Sequence, residues 1–195
     1  MSLPIDIVFE LFEKVVSPIL LYASEVYGSD NIKSIDVFQR SFYKRILRLS
    51  KATPTVMIYG ETGTVPLSIT IEKRIIGYWL QLISADQSKL NSIIYKFIHK
   101  LDYKDIYCTK WLSKVKSILK RCGLYYIWID QEYITDIDII KTIVNIRIDD
   151  IYEQTWHASL PTHIRCSSYV IYKEERKIEM YLLKLNANER INLDV

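Results

Sequence analysis

The chain has 195 residues, 49% of them hydrophobic and 25% charged, with 26 basic residues against 23 acidic ones and only five Gly, five Pro and three Cys. That length buries about two-thirds of the unfolded surface in one ordinary domain or two small helical ones, and the composition excludes a disordered tail, a collagen-like fibre and a disulfide-stapled module. A net charge of +3 names no partner as a total; only its distribution along the chain can.

The first residues carry Asp6, Glu10 and Glu13 and lack the basic-then-apolar order of a signal peptide. The longest apolar run, 15–23, contains Ser17 and Pro18 and is far short of the roughly twenty residues a membrane span needs. Cys108, Cys122 and Cys166 are odd in number and without close pairing, which suits a reducing interior. The expectation is an intracellular protein, in nucleus or cytoplasm, with no membrane partner.

Ile7, Val8, Leu11, Phe12, Val15, Val16, Ile19 and Leu20 repeat at the helical period. Pro18 predicts a kink or two abutting helices there, and Gly28 followed by Ser29, Asp30 and Asn31 predicts a stop and a new start. A second helix is expected over 32–49, with Ile35, Phe38, Phe42, Ile46 and Leu49 on one face. A loop rich in Pro and Gly is expected over 52–66, with a short extended piece near 64–71. Ile71, Ile75, Tyr78, Trp79 and Leu82 mark a third helix, and Leu90, Ile93, Ile94 and Phe97 begin a fourth. The pattern lapses over 101–109, read as a linker. A fifth helix carries Trp111, Leu112, Val115, Ile118 and Leu119 and stops at Cys122-Gly123; a sixth carries Ile137, Ile140, Val144, Ile148 and Ile151; a last lies within 167–185. The reading is an all-α, multi-helix bundle in two small helical clusters, 1–100 and 101–195.

On a wheel of about 100° per residue, Lys33, Arg40, Lys44, Arg48 and Lys51 fall within roughly 80° of one another, opposite the apolar side of the second helix. Lys110, Lys114 and Arg121 line up more weakly on the fifth. A row of cations on a rigid helix can neutralise several phosphates of a nucleic-acid strand, and the plain alternative is a solvated, solubilising face. Other constellations point to no chemistry. Asp149-Asp150 invites comparison with the Tyr-x-Asp-Asp of polymerases, but the flanking pattern is helical and Arg147 stands where Tyr belongs. His157, His163 and Cys166 lack the fourth ligand and the paired spacing of a structural zinc site, so neither metal nor cofactor is expected. No phosphate-cradling glycine loop is present. Tyr22, Tyr27, Trp79, Trp111, Trp128 and Trp156 could stack on bases, but most sit on apolar faces, and core packing is the ordinary reading.

The residue string itself carries more. Pro18-Ile19-Leu20-Leu21-Tyr22-Ala23-Ser24-Glu25-Val26-Tyr27-Gly28 resembles a segment that follows the polymerase core in LINE-type (non-LTR) retrotransposon reverse transcriptases. There it reads Pro-Ile-Leu, then Tyr-Gly-Ser-Glu, an aliphatic residue and Trp-Gly; Ala23 stands where Gly is usual and Tyr27 where Trp is usual. Phe38-Gln39, Phe42 and Lys44 follow in order. Thr53-Pro54, Tyr59-Gly60-Glu61-Thr62-Gly63 and Pro66-Leu67, then Arg74 and Trp79, extend the similarity. It continues more loosely through Cys122 to Trp128 and Gln154-Thr155-Trp156. The resemblance implies a thumb and post-thumb region without the palm aspartates or endonuclease, ending before the family's Cys/His segment. It implies no catalysis by itself, and contact with template RNA and primer DNA through phosphates. The alternative is a helical scaffold docking to a polymerase core or to itself through apolar helix faces.

Overall fold

A computed structural model describes residues 3–28, 32–86, 88–131, 134 and 136–184. The fold is all-α. Among the described residues the sole β feature is an isolated antiparallel bridge between Thr62 and Ile178.

The first apolar run forms α1 (Ile5–Leu11), a π-turn over Phe12–Val16 and α2 (Ser17–Leu20). Pro18 is the reason for the irregularity. It has no N–H to donate and its ring crowds the carbonyl four residues back, so the preceding turn widens and the Ser17 N–H reaches Phe12 O. The chain then bends through Ala23, at φ 51°, into α3 (Ser24–Tyr27). Gly28 follows because a Cβ there would lie 2.3 Å from Ile71 Cγ2. Ser29, Asp30 and Asn31, expected to separate the first two helical runs, lie outside the described residues.

α4 spans Ile32–Ile46 and ends before the expected residue 49. Arg48 is left-handed at φ 56° and the Leu49 N–H bonds to Lys44 O at 2.8 Å, a Schellman closure with Arg where Gly is usual. The expected loop 52–66 contains α5 (Thr55–Thr62), which buries Val56, Ile58, Tyr59 and Gly60 between Pro54 and Gly63. The stretch expected to be extended turns helical at Leu67, where α6 (Leu67–Ser84) begins. Two side chains from α4 cap it: Gln39 Oε1 accepts the Leu67 N–H at 3.0 Å and Asp36 Oδ1 the Ser68 N–H at 2.9 Å.

α7 (Leu90–Tyr103) runs into the expected linker, and α8 (Lys110–Arg121) starts at Thr109, whose hydroxyl accepts the Leu112 N–H at 3.1 Å. α8 stops where expected: Gly123 is left-handed and the Leu124 N–H bonds to Leu119 O at 2.8 Å. α9 (Tyr126–Ile129) is one turn. α10 (Ile137–Ser159) continues past the expected end near 151. In place of one last helix there is a 3₁₀ turn (Ile164–Cys166), α11 (Tyr169–Tyr172) and α12 (Met180–Lys184).

The chain divides into two units, and they are not the consecutive halves 1–100 and 101–195. Unit 1 comprises the described residues of Met1–Tyr22, Lys33–Ser68 and Glu153–Val195; unit 2 those of Ala23–Ile32 and Ile69–Tyr152. In unit 1, Phe9 and Phe12 meet Phe42 and Tyr43 of α4, with ring centroids 4.5–5.4 Å apart. Trp156 donates to Val56 O at 2.9 Å and packs with Leu160 and Cys166. Arg176 donates to Gly63 O at 2.6 Å and Thr64 O at 2.7 Å and pairs with Glu153. Unit 2 is centred on α6, whose Ile71, Ile75, Ile76, Trp79 and Leu80 are fully buried; Trp79 stacks on Trp128 at 5.8 Å.

Candidate functional site

The five cations assigned to the second helix are not all on it. Lys33, Arg40 and Lys44 lie on α4 within a sector of about 40° at the helical repeat. Arg48 falls in the left-handed closure and Lys51 in the turn beyond it, so neither continues the row. The Lys51 carbonyl accepts a hydrogen bond from Lys44 Nζ at 2.6 Å. Among the described residues, none of Lys33, Arg40 and Lys44 pairs with a carboxylate. The row expected from spacing is real in its first three members. It breaks where the helix closes.

The α8 cations do different work. Lys114 Nζ lies 2.8 Å from Glu72 Oε1, and Arg121 engages both oxygens of the same carboxylate. Glu72 sits on the face of α6 that carries the core, and its side chain is 7% exposed. Burial pushes its pKa up, but the hydrogen bonds from Arg121 and Lys114 outweigh that and hold it below the usual carboxylate range. Two expected phosphate ligands therefore serve as counter-ions of a buried acid. Lys110 is exposed at the first position of α8. Lys116, on the same helix, pairs with Asp102 of α7 at 2.7 Å.

α7 is an inverted amphipathic helix. Ser92, Tyr95, His99 and Asp102 recur at i, i+3, i+7 and i+10 and face the interior of unit 2. Trp79 Nε1 donates to Tyr95 Oη at 2.9 Å, Tyr95 donates to Gln131 Oε1 at 2.8 Å, and the Gln131 amide meets His99 Nε2 at 3.0 Å. Ser92 donates to Leu82 O at 2.9 Å. Burial pushes the Tyr95 phenol up to about 12 and the His99 ring below its ordinary range, in keeping with a neutral ring accepting from the amide. With the polar stripe turned inward, Leu90, Ile93, Ile94 and Phe97 project outward and are 50–72% exposed. A spacing search for apolar faces finds these four residues but not their direction; the polar stripe is the signal that reveals it.

The remaining constellations have ordinary placements. Asp149 and Asp150 lie within α10, not on a hairpin, and Asp149 pairs with Lys73 at 2.6 Å. Cys166 is buried with Trp156, while His157 and His163 are exposed. Among the described residues no three His, Cys, Asp or Glu side chains gather as metal ligands. Trp79, Trp128 and Trp156 are buried; Tyr22 and Tyr27 are exposed. Among the described residues, open clefts of about 410 Å³ include one in unit 2 between α6 and α10, lined by Lys73, Arg74, Gly77 and Lys141, and one in unit 1 lined by Glu61, Tyr169 and Lys173. No described helix is long and apolar enough to cross a membrane.

No family model, curated protein or solved structure matches the chain.

Proposed function

We propose that the chain is a non-catalytic helical segment of the kind that follows the polymerase core in LINE-type reverse transcriptases, and that it holds a nucleic-acid backbone, template RNA or primer DNA, through α4. The observation that carries this reading is the row Lys33, Arg40 and Lys44 on one side of α4, with no carboxylate partner among the described residues. Along the axis Lys33 and Arg40 stand about 10 Å apart and Arg40 and Lys44 about 6 Å, a spacing suited to successive phosphate contacts. Arg48 and Lys51 add diffuse positive charge beyond the helix end, whereas Lys114 and Arg121 are committed to Glu72 and contribute little. An intracellular location, in nucleus or cytoplasm, belongs to the same proposal.

Three phosphate contacts on duplex give a salt slope of about −2.7, a loss of roughly 40-fold in affinity between 50 and 200 mM salt. Fluorescence anisotropy with a labelled RNA–DNA hybrid measures it. Binding is expected to be indifferent to sequence, lost in the Lys33→Glu, Arg40→Glu, Lys44→Glu triple variant, and reduced less by Arg48→Glu with Lys51→Glu. Absence of binding at 50 mM salt, or a triple variant that binds normally, overturns the reading.

A second reading, docking to another protein through the first helical run, is favoured by a separate observation in unit 1. Ile7, Leu11, Val15 and Ile19 repeat every four residues and are all exposed. Leu11→Asp tests that face. Phe12 does not, because its ring is buried among Phe42 and Tyr43 and a polar substitution there would disrupt the core.

A further inference from the structure

We infer that α7 and α10 form an antiparallel contact between two copies of this chain, so that unit 2 is a dimerisation surface. This goes beyond the nucleic-acid reading and does not depend on it. The inverted packing of α7 leaves Leu90, Ile93, Ile94 and Phe97 uncovered because the opposite side of the helix is tied inward by Trp79, Gln131, Leu82 and Lys116. The helix cannot rotate its apolar side into the core without breaking those bonds. In the same unit α10 shows a second apolar stripe, Ile139, Ile143 and Ile146, 41–57% exposed, while Val144 and Ile148 on its other side are buried.

The two stripes match in length and differ in charge. Each spans eight residues, about 10 Å of helix from first to last. Lys96 and Lys100 border the α7 stripe on one flank, with Lys89 at its N-terminal end. Asp138 borders the α10 stripe on the corresponding flank, with Asp150 at its C-terminal end; Asp149, beside it, is paired with Lys73 of the same unit. When two right-handed helices pack face to face, corresponding flanks fall on the same side only if the helices are antiparallel. In that orientation Lys100 meets the Asp138 end and Lys89 meets Asp150, whereas a second α7 would oppose lysine to lysine. Each copy carries both stripes, so α7 on α10 of the partner and α10 on α7 of the partner is the reciprocal arrangement that closes a two-fold dimer. Full coverage of the seven apolar side chains removes on the order of 700 Å² from each copy, close to the roughly 800 Å² per partner of a stable interface.

The test is sedimentation equilibrium of the full chain at 10–100 µM. The expected species has twice the 23.1 kDa chain mass. Ile93→Asp with Phe97→Asp should give a monomer with an unchanged helical circular dichroism spectrum, since both residues are exposed. Lys89→Glu with Lys96→Glu and Lys100→Glu, and separately Asp138→Lys with Asp150→Lys, should each weaken self-association about tenfold or more. Mixing the two charge variants should restore a dimer of one copy of each, because both contacts then pair opposite charges. The neutral pair Lys96→Gln and Lys100→Gln, with an intermediate loss, separates charge repulsion from misfolding. A chain monomeric at 100 µM, a dimer that survives Ile93→Asp with Phe97→Asp, or a mixture that stays monomeric overturns the inference. A monomer that is captured by anionic vesicles would assign the stripe to a lipid surface and likewise overturn it.

Discussion

Ala23 is a left-handed residue with a Cβ, a conformation that costs an L side chain roughly 1 kcal/mol and that glycine adopts freely. It stands where the resembled segment has Gly. Ala23→Gly should therefore stabilise the fold, by about 0.5 kcal/mol once the greater freedom of the unfolded chain is subtracted, read as a higher urea midpoint. Glu72 gives a second, sharper case. Its carboxylate is buried but both of its cations reach the surface, so removing the acid strands nothing, while removing the cations strands a buried charge. Lys114→Gln with Arg121→Gln should cost about 3 kcal/mol or more, and Glu72→Gln distinctly less. The pH dependence follows from the sign of the shift. Glu72 is held below its ordinary value of 4.5, so its contribution is complete above that value and fades as pH falls through the lower folded pKa. Urea titrations from pH 7 down to pH 3 should show a loss of stability that Glu72→Gln partly removes.

At the scale of the element, α7 shows how a helix can be legible while its orientation is not. The spacing of Leu90, Ile93, Ile94 and Phe97 specifies a helix with an apolar side, because that side is a matter of local geometry. Which side faces inward depends on Trp79, Gln131 and Lys116, up to 36 residues distant in sequence. Tyr95→Phe removes the acceptor of the Trp79 indole and the donor to Gln131, and should cost about 1–2 kcal/mol; Ile93→Ser, on the outward side, should stay within about 0.5 kcal/mol. Chemical denaturation distinguishes the two, and the reverse order would mean that α7 is turned the other way. α4 makes the related point about ends. A wheel drawn to Lys51 assumes that the helix persists. The closure at Arg48 removes two cations from the row by ending it.

For the molecule as a whole, the lapse in pattern over 101–109 marks a real connection between α7 and α8, but connections are not domain boundaries. Unit 1 joins Val56 to Trp156 and unit 2 joins Lys73 to Asp149, so each is built from stretches far apart in the chain. Fragments 1–100 and 101–195 expressed separately should accordingly lack dispersed amide spectra and a cooperative thermal transition, and each should expose core. Two independently folding fragments would restore the consecutive division.

The sequence by itself determined the all-α class, the disruption at Pro18, the α8 stop at Gly123 and the first three cations of α4. All of these rest on interactions within about one or two turns of helix, where the period of apolar residues and the special backbone freedom of Pro and Gly decide the outcome. Tertiary structure alone decided that the start of α6 is helical, because Gln39 and Asp36 of α4 cap it, and that α5 packs on the same helix, where Tyr59 donates to Gln39 Oε1 at 3.2 Å. It decided that Lys114 and Arg121 are spent on Glu72, and that α7 turns its polar side inward. Partners in those cases are separated by tens of residues, and no local periodicity encodes which distant groups will meet.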